Sequence, residues 1–303
     1  MRVVALAGGT GSAKILRGLS RLPIELTVLA NVGDNIWIYG AYVCPDVDIA
    51  AYSLAGISGP RGWGIAGDTF EALHWMSRLG VETWFELGDR DLAVCLARTE
   101  MLRRGRSLTE ATRRIAKSLG VGPSILPITN EHLETRIKTP GRELHLQEFW
   151  VRERGRPRVI GVRYEGAPRA KPTPEVVAAL STADRIVVCP ANPVTSMGPM
   201  LALTGFRRLL RETPARVVAL SPMVGGAPFS GPAGKLLRAT GSVPNSYGVA
   251  RLYSDFMDCI VISETDVTLA ARIRTLGIEC MTAATRISGR SDEIRLARVL
   301  VRA

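Results

Sequence analysis

The chain has 303 residues, 46% of them hydrophobic and 22% charged, a globular composition long enough for one large α/β domain or two smaller ones. No apolar run reaches the ~18 residues of a membrane span. Its five cysteines are scattered and never form a C-x-x-C pair, which argues against a disulfide framework or a zinc site and fits a reducing cytoplasm. The net charge is +11, with only five lysines among the 39 basic residues, and arginine forks suit phosphate and carboxylate partners.

The opening "MRVVALAGG" has the basic start of a signal peptide, but its apolar run ends in a glycine loop with no small-residue cleavage site, so it reads as a buried first strand. "SAKILRGLSRL" places Ile15, Leu16 and Leu19 on one helical face, and "ELTVLANVG" reads as a second strand. From about 67 to 120 the pattern is helical, including "SLTEATRRIAKSLG", where Ser107 and Glu110 form a capping box and Gly120 stops the helix. Residues 133–165 alternate like antiparallel strands in "ETRIKT" and "LHLQEFWVRE". Pro172 and Pro174 then open a helix. "DRIVVCPANP", "RVVALSPMVGG" and "DCIVISE" are continuous apolar runs, as expected of strands buried on both faces of a parallel sheet. These elements predict one α/β domain over residues 1–303. Its doubly wound, Rossmann-like, mostly parallel sheet is interrupted at about 64–168 by a helical insertion with a β-hairpin.

In such sheets ligands gather at the carboxyl ends of the strands. "GGTGSAK" (8–14) supplies glycines and a helix N-terminus for a phosphate, with Lys14 beside them. It is not a P-loop and only an incomplete dinucleotide fingerprint. "NVGDN" puts Asp34 where a nicotinamide-dependent dehydrogenase holds its ribose, which keeps that enzyme class as a rival. In "YVCPDVDIAAY" (42–52), an extended stretch would turn Asp46 and Asp48 toward one centre, as Mg²⁺ ligands. Either could instead cap a helix beginning at "IAAYSLAG". Asp68, in "GIAGDTF", reads as an N-cap of the next helix unless it faces that pair. Asn192 and Ser196, in "CPANPVTSMGPM", offer hydrogen bonds to a base or phosphate. Gly225 and Gly226, in "SPMVGGAPFSGPAGKLL", repeat with Lys235 the glycine-plus-lysine chemistry of the first loop. A diphosphate bridging the two glycine loops is the expected ligand.

In order and spacing, "GGTGSAK", "NVGD", "YVCPDVDIAAY", "GDTF", "LGDRDLA", "LPITNEHLETRI", "LQEFWV", "NPVTSMGPML" and "GGAPFSGPAGKLL" resemble the CofD-type 2-phospho-L-lactate transferases of coenzyme F-420 biosynthesis, over nearly the whole chain. The resemblance implies a Mg²⁺-dependent reaction. The ribityl hydroxyl of the deazaflavin FO attacks a guanosine diphosphate ester of lactate or enolpyruvate, and GMP leaves. It further implies Asp46, Asp48 and Asp68 at the metal and hydroxyl, with Asp48 nearest the ribityl chain and able to take its proton. Phosphates would lie on Gly9, Thr10, Gly11, Lys14, Gly225 and Gly226, guanosine on Asn192 and Ser196, and FO against Arg90. Ser12 and Asn35 stand where the family often has a glycine and an acid. Asp48→Asn is expected to leave the fold intact and abolish turnover.

The rivals are a YvcK-like nucleotide-sugar-binding regulator without catalysis, the dehydrogenase, and a nucleic-acid-binding protein. The last would show a salt slope of about −0.9 per phosphate contact, but the basic clusters "RRGR" and "RERGRPR" carry no interleaved aromatic residues to stack bases. No membrane partner is expected, and a homodimer is the commonest assembly.

Overall fold

Seven apolar segments form one parallel sheet in the computed structural model, which describes residues 1–228 and 231–303. Phe229 and Ser230, inside the late glycine loop, therefore lie outside the described residues. Along the chain the strands are β1 (Arg2–Ala7), β2 (Glu25–Ala30), β3 (Ser124–Pro127), β4 (Arg185–Val188), β5 (Arg216–Leu220), β6 (Cys259–Ser263) and β7 (Glu279–Ala283). Their spatial order is β7-β6-β5-β4-β1-β2-β3. β1 pairs with β2 on one side (Leu6 opposite Leu29) and with β4 on the other (Leu6 opposite Val188). Strand order thus reverses between β1 and β4, which opens a crevice at their carboxyl ends.

The sheet is the α/β, doubly wound, Rossmann-like one expected. Val3–Ala7 and Ile186–Val188 are all buried, since helices cover both faces and no solvent side exists to select polar alternation. Ile15, Leu16 and Leu19 line the buried face of helix α1 (Gly9–Leu19). Each such side chain contributes about 1.5–3 kcal/mol when fully buried. α1 packs against helix α2 (Pro45–Ala55) and the C-terminal helix Arg290–Arg302. No helix among the described residues is long and apolar enough to cross a membrane.

Helices α3 (Glu71–Arg78), α4 (Asp89–Arg103) and α5 (Leu108–Ser118) fill the helical stretch, and the Ser107–Glu110 capping box is present. Three details differ from the sequence reading. A short hairpin, Ile36–Ile38 with Ala41–Val43, precedes α2. Within the expected insertion, Ser124–Pro127 is the sheet's edge strand β3, paired with β2. "LHLQEFWVRE" is a strand only at Glu143–His145, because Glu148–Arg152 coils into a π-helical turn. That short strand joins Glu134–Lys138 and Gly161–Glu165 in a separate three-stranded antiparallel sheet.

Candidate active site

Two loops meet at the crevice with almost no space between them. A Cβ on Gly11 would lie 2.5 Å from the Pro190 carbonyl oxygen, and one on Gly8 would lie 2.5 Å from Ser196 Cβ and 2.7 Å from Asp46 Oδ2. Glycine is required here for close approach, which brings the loops after β1 and β4 and the start of α2 to one point.

Asp46 and Asp48 stand there, but not on an extended stretch. Pro45 is the first residue of α2, so the two acids sit two residues apart on a helix and diverge. Asp46 accepts the Gly9 N–H and, at 2.8 Å, the Asn31 side-chain amide. The same amide reaches Asp34 Oδ1 at 3.3 Å. Asp48 turns the other way and receives both guanidinium arms of Arg98, a side chain 0% exposed in the middle of α4. One arm also donates to the Tyr42 carbonyl at 3.1 Å. A fourth acid, Asp91, accepts the Tyr52 hydroxyl at 2.7 Å.

Asp34, Asp46, Asp48 and Asp91 are all buried and all line one cleft of about 690 Å³. Burial pushes every one of these carboxyls up. Asp46 reaches about 6, held back by its Asn31 and Gly9 hydrogen bonds. Asp91 reaches about 7, pushed first by burial and then by the charge of Asp48. Asp34 is raised well above the carboxylate range by burial and the neighbouring Asp46 and Asp48. Burial also raises Asp48, while the Arg98 guanidinium opposes it; the two-point fork keeps that pair ionised. Supports from the three-stranded sheet fix the Asp34 loop: Thr135 donates its N–H to the Gly33 carbonyl at 2.6 Å, and Gln147 Nε2 to the Asp34 carbonyl at 3.2 Å.

Trp63, Trp84, Phe85 and Trp150 line the same cleft as the acids. An apolar lining with a few convergent polar groups is the usual form of a small-molecule site. Sequence reasoning found none of these aromatics, nor Arg98 or Asp91.

Of the residues expected at the site, Gly9, Thr10, Gly11, Asp46, Asp48, Asn192 and Ser196 line this cleft. Lys14, Arg90, Asp68, Gly225 and Gly226 do not. The Gly9 amide expected on a phosphate is spent on Asp46. Lys14 Nζ points to the Ile287 carbonyl, 3.4 Å away. Asp68 is not the cap of the helix that follows it. Its carboxylate accepts the backbone N–H groups of Arg90 and Asp91 and caps α4, while Asp89 accepts those of Glu71 and Ala72 and caps α3. The two helices exchange caps, and Asp68 stands outside the cleft that Asp46 and Asp48 line. Arg90 is exposed, with Nη1 at 3.5 Å from the Ala66 carbonyl. Gly225 and Gly226 have φ of +57° and +77°, and the Gly225 N–H donates to Asp266. Lys235 gives its ammonium to the carbonyls of Gly155, Arg156 and Pro157.

The donor set suits a hard divalent cation. Four buried carboxylates face one guanidinium, so added positive charge relieves their repulsion. Asp34 and Asp46, both within reach of the Asn31 amide, are the pair able to hold it. Asp48, Asp91 and Cys95 have ligand atoms within 4.8 Å of one another, but Arg98 already occupies both Asp48 oxygens and a thiol is a poor magnesium ligand.

The family described as 2-phospho-L-lactate transferase CofD matches residues 3–284. A 2-phospho-L-lactate transferase of Methanopyrus kandleri is 40% identical, over 100% of this chain and 97% of that one. That of Methanosarcina mazei is 38% identical over 99% and 100%, and that of Methanothermobacter thermautotrophicus 40% over 99% and 97%. A crystal structure of a UPF0052 family member from Bacillus halodurans has the same fold, with a TM-score of 0.66 at 16% identity over 99% of this chain and 100% of that one.

Proposed function

The chain belongs to the 2-phospho-L-lactate transferase CofD family, and from that premise we propose that it transfers a phospholactyl or phosphoenolpyruvyl group from a guanosine diphosphate ester to the ribityl hydroxyl of FO, releasing GMP, in coenzyme F-420 biosynthesis. The observation that carries this reading is one cleft lined both by four aromatic side chains and by four carboxylates beside a glycine loop. The wall suits the planar deazaflavin, and a nucleotide-binding regulator gives it no role.

Phosphoryl-type transfer depends on positioning and charge neutralisation. The Thr10 and Gly11 amides, in the first turn of α1 where no intrahelical acceptor exists, would hold a donor phosphate. Asp48, oriented by Arg98, would accept a hydrogen bond from a neighbouring ribityl hydroxyl, leaving the one proton of the attacking hydroxyl to Asp91. The attacking oxygen bonds to the distal phosphorus, and the bond from this phosphorus to the GMP oxygen breaks with its electrons going to GMP. Asp91 would take the hydroxyl proton, since a base tuned near neutrality works best at neutral pH. Asp34 and Asp46 would hold Mg²⁺, which when bound neutralises phosphate charge.

The test is turnover by the purified protein with Mg²⁺, FO and each guanosine diphosphate ester, following GMP and the deazaflavin product by chromatography. Coupled GMP release and FO consumption is the expected result. A folded protein that binds nucleotide but forms no product with either donor would sink the proposal in favour of a regulator. A homodimer belongs to the same proposal, and the mass in solution tests it.

A further inference from the structure

A second cleft of about 1240 Å³ lies on the far side of the α1 N-terminus and meets the first at Thr10, Gly11, Arg61 and Pro190. It is walled by the exposed side of α1, the loop after α2, and the segments that follow β6 and β7. Six cations line it: Lys14, Arg17, Arg21, Arg61, Arg286 and Arg290. Among the described residues the one acid in its lining is the exposed Glu264. Arg17 is tied to Glu293 and Arg61 to Glu86, whereas Arg21, Arg286 and Arg290 have no ion pair among the described residues. The carboxylates nearest in sequence do not offset them, because Asp292 accepts from Ser288 and Arg295, and Glu293 from Arg17. Thr285, also in the lining, is 2% exposed, and its hydroxyl has no partner among the described residues. A buried hydroxyl left unpaired costs about 1–3 kcal/mol, so a ligand oxygen that reaches it is favoured.

We propose that this second cleft binds a phosphate-bearing anion, of diphosphate type, between Arg286, Arg290, Lys14 and the Thr285 hydroxyl. Thr285 and both arginines come from the segment that follows β7, and Lys14 comes from α1, so two distant parts of the chain supply the site. Guanidinium forks and an ammonium supply the charge, and the hydroxyl supplies direction. The anion is either a free diphosphate or the far phosphate of a nucleotide whose other end enters the first cleft.

Isothermal titration of the full chain with inorganic diphosphate, at low salt and without added metal, tests the site. Wild type should bind, more weakly as salt rises. The Arg286→Gln/Arg290→Gln double variant, altered only at exposed positions, should bind at least about tenfold more weakly with an unchanged melting curve, and Thr285→Val, which removes the unpaired hydroxyl, about threefold to tenfold more weakly while melting no lower than wild type. No binding by wild type at millimolar diphosphate, or equal binding by the double variant, overturns the proposal. Guanosine diphosphate titrated in parallel separates the sources. A matching loss in the double variant assigns the site to the nucleotide, and a loss confined to inorganic diphosphate assigns it to the free anion.

Discussion

Arg98 and Asp48, fifty residues apart in sequence, meet as a two-point ion pair with the guanidinium wholly removed from water. Removing one partner strands the other charge, which costs about 3–5 kcal/mol, whereas removing both costs less. Arg98→Met should therefore lower the unfolding free energy by about 3–5 kcal/mol in urea titrations, and Arg98→Met/Asp48→Asn by clearly less. Additive losses would show that the pair is not coupled as described. Asp48→Asn leaves Arg98 charged and half-paired, so a loss of stability is expected beside the loss of turnover. Its lost turnover must be separated from lost stability by measuring both.

Asp91 ties activity to pH. Its carboxyl, pushed up to about 7 by burial and by Asp48, is a base only when ionised, so kcat/KM should rise as pH climbs through about 7. The stability sign is opposite. A carboxyl raised in the folded state contributes stability that is full below the unfolded value of about 4 and is lost as pH rises through about 7. Asp91→Asn should therefore flatten the rising limb of the pH–rate profile at reduced kcat. It should also be more stable than wild type at pH 8, by about 2–4 kcal/mol, and similar only below about pH 4, where both folded and unfolded wild type hold the proton. A variant that keeps the limb at pH 7 would remove Asp91 from the proton transfer.

The contrast between what the sequence made legible and what it hid has a physical cause. Continuous apolar runs such as "VVALA" and "RIVV" announce a parallel sheet, and glycines after a strand announce a close approach, so Gly8 to Gly11 were found. "PDVD" pointed to the right residues but the wrong backbone, since Pro45 suits either an extended stretch or the first turn of a helix. Arg98 is one arginine in an arginine-rich chain, and only the packing of α4 on the Ala41–Val43 strand, which brings it to Asp48, distinguishes it. The aromatics of the cleft come from loops around Trp63 and Trp84 and from the π-helical turn at Trp150, with no shared spacing. Lys235 misled because a lysine beside glycines looks the same whether it meets a phosphate or a carbonyl.

The aromatic wall makes a claim about one substrate rather than both. Trp84 lines the cleft while half-buried, so truncation removes contact area without exposing the core. Trp84→Ala should raise KM for the deazaflavin about tenfold or more, the scale of about 1–3 kcal/mol for stacking on an aromatic face, and leave KM for the guanosine ester within about twofold. Steady-state kinetics with each substrate varied in turn decides this. An effect on the ester alone would reverse the assignment of the two ends of the cleft.

The carboxylate pair Asp34 and Asp46 makes a claim that needs no turnover. A cation that binds only the folded chain stabilises it by RT ln(1 + [L]/Kd), about 1.4 kcal/mol at ten times Kd. Mg²⁺ should therefore raise the melting temperature by a few degrees, and more than the same ionic strength of NaCl. Asp34→Asn removes one of two buried like charges, so it should melt higher than wild type without metal and lose most of the Mg²⁺ shift. Asp68→Asn should weaken the α4 cap by about 1 kcal/mol and keep the shift, because its carboxylate already holds the Arg90 and Asp91 amides. If Asp68→Asn abolished the shift and Asp34→Asn did not, the cation would sit at the cap, and the acid cluster would have to balance its charge with protons instead.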